Sequence, residues 1–293
     1  MKTGLFALAA LALTLAACNN DNENLNDGPV AAKFTAGITP VTRASGTTWN
    51  DGDRIGITGI GTDYDNVPYI LKKKGTFEAE GNAIYFNSTT EVKFRAYYPY
   101  NPTGGKFTVT TDAAAQKDQP AIDFLFASGA TGSTYNPEVK FTDKTNDGGP
   151  DNSFHHRMSQ ITLTFKAGLG VDFDAATPDE YTLSGLKLDG TFDTASGTAA
   201  VGDQAQAKEL TIPLDGAVQS SIILIPQEAN TLSLTVVYNA ENYHATLTVP
   251  KGALQAGDNY SYTVKLNNKD LEVSTAEITN WKDVEPVNVN VNL

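Results

Sequence analysis

An all-β sandwich is the fold class that this sequence predicts, and three observations predict it. Apolar residues recur at every second position along most of the chain, the period of a half-buried strand. Clusters of Gly, Asn and Asp break these runs at intervals of roughly 8–12 residues, the spacing typical of sandwich strands. No apolar stripe of helical period stands out; the one weak helical stretch is Ala113 to Asp118, just ahead of Pro120.

Taken in order, the first strand runs from Val30 to Ile38, with Val30, Ala32, Phe34, Ala36 and Ile38 on one face. Ile55-Gly56-Ile57 follows a turn at Asn50-Asp51-Gly52-Asp53. Ala83–Phe86, Val92–Tyr98 and Phe107–Val109 are the next strands, the last entered from Gly104-Gly105. Ile161–Phe165, Tyr181–Leu183, Leu186–Leu188, Leu210–Ile212, Ile222–Ile225, Leu232–Val237, Tyr243–Val249 and Tyr260–Leu266 continue the series. The densest turn cluster runs from Asp143 to Asn152. A domain break there, close to His156, divides the chain into residues 30–156 and 157–293, each of ordinary domain size.

Ahead of the strands lies a leader. Lys2 precedes an apolar run from Leu5 to Ala17, too short to span a bilayer and shaped like a secretory signal. It ends Leu15-Ala16-Ala17-Cys18, and Cys18 is the only cysteine. The pattern resembles a bacterial lipobox, in which the peptide is cut before the cysteine and the sulfur and new N-terminus are acylated. Residues 1–17 are therefore expected to be removed, with acylated Cys18 seated in outer-membrane lipid. Residues 18–29, rich in Asn and Asp, read as a polar tether.

The formal charge is −13, and losing Lys2 with the leader makes it −14. So acidic a chain is a poor partner for nucleic acid. With Cys18 lipidated no thiol is left for a disulfide, a thiolate metal site or a cysteine nucleophile.

The order of motifs carries a resemblance. Phe34-Thr35-Ala36, Thr42-Arg43 and Trp49-Asn50-Asp51-Gly52-Asp53-Arg54-Ile55-Gly56-Ile57 come first. Ile84-Tyr85-Phe86, Phe94-Arg95-Ala96-Tyr97-Tyr98-Pro99-Tyr100, Asp123–Ala127 and Phe154–Ser159 follow, with Ile278-Thr279-Asn280-Trp281 near the end. Together with the lipobox, the chain resembles the fimbrillin (Mfa-like) family of Bacteroidetes lipoproteins, which includes type V pilins. The resemblance implies two tandem transthyretin-like β-sandwich domains. It also implies export as a lipoprotein and a cut after an arginine by an arginine-specific protease. The first strand is then released, and a strand from another subunit fills the groove it leaves.

The residues fit such a scheme. After the first strand, Thr39 to Thr48 is small and polar with a glycine, the composition of an exposed, cuttable loop. Arg43, the first arginine in the chain, lies on it, so that the resemblance implies a cut between Arg43 and Ala44. By itself Arg43 is equally a solvated loop residue, and Arg54 is a rival that abuts a strand. At the other end, residues 285–293 alternate without error: Val287, Val289, Val291 and Leu293 share one face and three asparagines the other. That pattern suits a donor strand, or the last strand of its own domain.

No catalytic constellation emerges. His155 and His156 point to opposite faces of a strand and cannot readily share a metal; His244 lies within a strand. The stretch from Asp143 has neither the third nor the twelfth ligand of a calcium loop, and is a solvated turn. Trp49 and Trp281 are core aromatics or part of a sugar platform. Asp193-Thr194-Ala195 resembles a short glycosylation sequence that recurs by chance. No enzyme, cofactor or metal is expected. The leading expectation is a fimbrial subunit that pairs with other pilin subunits. The alternatives are a monomeric surface lipoprotein that binds glycan or host protein, and a pilus anchor or tip.

Overall fold

The computed structural model describes residues 28–37, 49–73, 76–142 and 151–281. The described residues form 24 strands and two short 3₁₀ segments, and the fold is all-β. The first half holds β1 (Val30–Ala31), β2 (Lys33–Ala36), β3 (Arg54–Gly59), β4 (Val67–Lys73), β5 (Thr76–Ala79) and β6 (Tyr85–Phe86). It continues with β7 (Val92–Tyr98), β8 (Lys106–Thr110), β9 (Leu125–Gly132), β10 (Glu138–Phe141) and β11 (His155–His156). Eight of these make one sheet in the order β10-β2-β5-β4-β3-β7-β9-β11, in which only β10 and β2 run parallel. The sheet curls over a core that includes Phe34, Ile55, Ile57, Phe94, Leu125 and Phe141, each fully buried. Gly132 marks how tightly it closes: a Cβ there would lie 2.5 Å from Phe86 and 2.7 Å from Val139.

The second half holds β12 (Ser159–Ala167), β13 (Glu180–Lys187), β14 (Asp189–Asp193), β15 (Thr198–Val201), β16 (Ala207–Pro213) and β17 (Gln219–Leu224). Then come β18 (Gln227–Glu228), β19 (Thr231–Tyr238), β20 (Glu241–Thr248), β21 (Ala253–Leu254), β22 (Asp258–Leu266), β23 (Leu271–Val273) and β24 (Glu277–Asn280). One sheet runs β17-β12-β22, with β23 and β24 both along the far edge of β22; the other runs β16-β13-β19-β20. They enclose Ile161, Leu163, Tyr181, Leu183, Leu234 and Tyr262, among others. The runs read as separate strands at Tyr181–Leu183 and Leu186–Leu188 are one strand, β13, with a bulge between Ser184 and Leu186. Gly185, at φ +98°, lets the chain make it.

The halves share a third sheet, β15-β14-β8, in which β8 of the first half pairs with β14 of the second. Beneath it lies a third core of Tyr97, Val109, Phe124, Phe126, Phe192 and Trp281, with their neighbours. The β14–β15 turn fits against Phe126 because Gly197, at φ +65°, carries no Cβ to strike that ring. The stretch read as weakly helical is a 3₁₀ segment, Ala115–Ala121, kinked at Asp118 and carrying Pro120. It closes the outer edge of β17. Ile223 N–H donates to Gln116 Oε1 (2.9 Å), and Gln116 Nε2 donates to Ile223 O (2.7 Å). Gln119 Nε2 donates to Ser221 O at 2.6 Å. Two glutamine side chains thus stand in for a neighbouring strand.

Candidate strand-exchange site

The seat of the first strand is where sequence and geometry converge. β2 lies between two neighbours, antiparallel to β5 (Phe34↔Phe77, Thr35↔Thr76) and parallel to β10 (Lys33↔Glu138 through Ala36↔Phe141). β1, just before it, leaves this sheet and pairs with β6. The single strand read from Val30 to Ile38 is two strands in different sheets, but the alternation holds from Val30 to Ala36: Ala32, Phe34 and Ala36 are buried, Val30 is half-buried, and Ala31 and Lys33 face solvent. Main-chain bonds run from Ala32 N to Ile84 O (2.9 Å), Lys33 N to Pro137 O (2.8 Å) and Gly37 N to Phe141 O (2.8 Å).

Phe34 is the anchor. Its ring meets Tyr69 edge-on at 4.8 Å and Phe94 at 5.3 Å, and lies nearly parallel to Phe141 at 6.3 Å. Burying one phenylalanine contributes about 1.5–3 kcal/mol, while alanines 32 and 36 add little. Tyr69 carries its hydroxyl into this wall and accepts a hydrogen bond from Ile84 N (3.0 Å). Burial pushes that hydroxyl's pKa up from its ordinary value, so it stays protonated. Were β1 and β2 withdrawn, the facing edges of β5 and β10 and an aromatic slot between them would open together.

Trp49 lies just ahead of the Asn50–Asp53 turn. Its ring packs edge-on against Phe77 (5.4 Å), Tyr98 (5.4 Å) and Phe154 (5.1 Å). It packs against the core as a partly buried aromatic. Phe77 is covered by Trp49 as well as lying opposite Phe34. Arg54, the rival cleavage point, opens β3. Its carbonyl accepts from Tyr100 N (2.9 Å), and its side chain pairs with Glu80 and lies over the Tyr100 ring at 5.0 Å. A peptide bond held in a ladder is a poor protease substrate.

Of the other sequence-predicted site residues, Cys18, Ile38, Arg43, Ala44, Val287, Val289, Val291 and Leu293 lie outside the described residues. His155 and His156 do point apart. His155 meets Asp151 (2.8 Å); His156 is buried against Asp123 (2.6 Å) and stacks on Trp281 at 4.2 Å. His244 is exposed, with Nδ1 3.1 Å from Thr235 Oγ1. Thr194 is buried. Among the described residues no group of His, Cys, Asp and Glu is placed to hold a metal ion. The clamp at Trp281 and the glutamine braces at Gln116 and Gln119 were not foreseen; they depend on contacts more than 100 residues apart, which local pattern does not reveal.

A family model described as fimbrillin-like matches residues 42–281. The chain belongs to the fimbrillin-like family. Among its relatives is Fim1C of Bacteroides uniformis, named as a candidate fimbrium subunit. It is 28% identical over 96% of this chain and 95% of its own length. Two crystal structures of candidate cell-adhesion proteins are also similar. The one from Bacteroides ovatus has TM-score 0.71 and 26% identity, covering 88% of this fimbrillin-like chain and all of its own. The other, from Bacteroides uniformis, has TM-score 0.71 and 25% identity over 88% and 99% of the two chains.

Proposed function

We propose that this fimbrillin-like chain is a structural subunit of a cell-surface fimbria, supporting adhesion and assembled by strand exchange. One observation carries the reading. β2 is an interior strand of its sheet by hydrogen bonding, yet it is only four residues long and is held by one large side chain. The segment that follows it in the sequence, Thr39 to Thr48, carries Arg43. A cut between Arg43 and Ala44 severs the strand from the body of the domain, while Trp49 holds the new end of the chain to the core. The emptied slot offers main-chain hydrogen bonds on both sides and apolar pockets at every second residue, the requirements of strand addition. Residues 285–293 of another subunit, with Val287, Val289, Val291 and Leu293 on one face, supply a matching strand. Acylated Cys18 holds the uncut subunit in the outer membrane, and the cut releases it together with β1 and β2.

Limited digestion of the folded, lipid-free chain with an arginine-specific protease tests the reading. The expected product is a single early fragment beginning at Ala44, which gives a heat-labile ladder of oligomers on an unheated denaturing gel. A chain that resists cutting at Arg43 and stays monomeric contradicts it and leaves the anchor or the monomeric binding lipoprotein. A clean cut without a ladder contradicts self-assembly and leaves a tip, or a subunit that pairs with a paralogous pilin.

A further inference from the structure

An unfilled strand position lies between the two halves. In the shared sheet β8 is an edge, with β14 on one side only. The ladder is bracketed by Thr111 N to Leu188 O (2.8 Å) and Thr194 N to Gly105 O (2.9 Å). In an antiparallel pair alternate residues face the partner, so the N–H and C=O groups of Lys106, Thr108 and Thr110 face away from β14. Among the described residues no backbone hydrogen bond is made along that side. Thr108 and Thr110 line a cleft of about 450 Å³ that no residue of β14 lines. Its apolar lining includes Phe107, Val109, Ile122 and Phe124; Pro99–Asn101 and the 3₁₀ segment form its other walls. A bare edge beside an apolar cleft is a seat for an added strand. Only Lys106, at one end, guards it in the usual way.

We propose that the outer edge of β8 is a strand-docking site, and that its occupant in the uncut chain is the alternating segment 285–293 of the same chain. Three observations point to this segment. Its four apolar residues at period two suit the apolar lining of the cleft, with asparagines left for the water side. Its root is fixed. Trp281 is buried, stacked on His156 at 4.2 Å, and donates its N–H to Gly257 O at 2.7 Å. Trp281 also belongs to the same core as Val109, Ile122 and Phe124, which line the cleft. Residues 282–286, fully extended, add about 17 Å of reach, enough to step from that core to its rim. A tether so short sets an effective concentration in the millimolar range, which a second copy does not match in dilute solution. The site deepens the strand-exchange reading without depending on it, because docking occurs in the uncut chain. Its effect would be to occupy a subunit's donor strand until a vacated β2 groove outcompetes β8.

Residue-resolved amide hydrogen exchange tests this in dilute, uncut, lipid-free protein. Thr108 and Thr110 amides are expected to exchange at least about tenfold more slowly in the full chain than in a chain ending at Trp281. The full-length variant Val289→Asp is expected to lose the same protection while the Ile223 amide, bonded to Gln116, stays protected. That second variant reports on docking even if the shortened chain misfolds. Equal exchange in the full chain and the Val289→Asp variant overturns the proposal. Protection that rises with protein concentration also overturns it, by making a second copy the occupant.

Discussion

Each half of the molecule opens with a strand in the same situation, and the two are held very differently. β2 lies between an antiparallel neighbour, β5, and a parallel one, β10; β12 lies between antiparallel β17 and parallel β22. β12 is nine residues long, pairs with β22 over eight positions, and buries Ile161, Leu163 and Phe165. β2 has four residues, pairs with β10 over four positions and with β5 over two, and buries one large side chain between two alanines. The chain just before β2 departs to pair with β6 instead of lengthening the ladder. The same topological position is deeply held in one half and shallowly held in the other. That difference is what the proposed exchange requires: a strand interior enough to define a specific groove, and short enough to give it up.

The sharpest way to break the comparison is Phe34→Ala. Losing the ring that Tyr69, Phe94 and Phe141 enclose is expected to cost about 3–5 kcal/mol. A urea titration should show it, with exchange in β10 accelerating while β12 is unchanged. Leu163→Ala should cost about 2–5 kcal/mol and loosen the second half, leaving β2 protected. If either substitution loosened both first strands equally, the two seats would not be separate. Gln116→Ala strips Ile223 of both side-chain partners; about 1–3 kcal/mol is expected, with faster exchange at the Ile223 amide.

The smallest effect belongs to the shared sheet. A hydrogen bond from Lys208, then one from Thr110, holds the Asp189 carboxyl below its ordinary pKa of 3.8, against slight desolvation. A lowered folded-state value stabilises above the unfolded pKa, and that share is lost as pH falls through the folded one. The pair is exposed, so Asp189→Asn should cost about 1 kcal/mol or less near neutral pH and nothing in strong acid. Paired urea titrations at the two pH values check it.

The strands legible in the sequence were those with period two and marked turns. β7 matches its reading from Val92 to Tyr98, and β3 starts where the Asn50–Asp53 turn ends, closed by Asp53 N to Asn50 O at 3.0 Å. β4 escaped notice because Pro68 interrupts an apolar run that is buried unevenly. β9 escaped because Leu125–Gly132 is small and glycine-rich, and its register shifts opposite Phe94 and Arg95. The shared sheet was invisible for another reason. Nothing local to Lys106–Thr110 says that its partner lies some 80 residues away in the other half, at Asp189–Asp193. The first strand was legible because its alternation is complete over a short span. The shortness of its ladders was not, since that depends on how few residues of β5 and β10 meet it.

The most direct test of the central claim is amide exchange along the β2 groove before and after the arginine-specific cut, in a chain ending at Trp281 so that it carries no donor strand. Glu138–Phe141 and Thr76–Phe77 should lose protection once β1 and β2 leave, and regain it when a chain carrying residues 285–293 is added in equal amount. Protection that survives the cut, or is lost and not restored by that chain, would contradict strand exchange at this site.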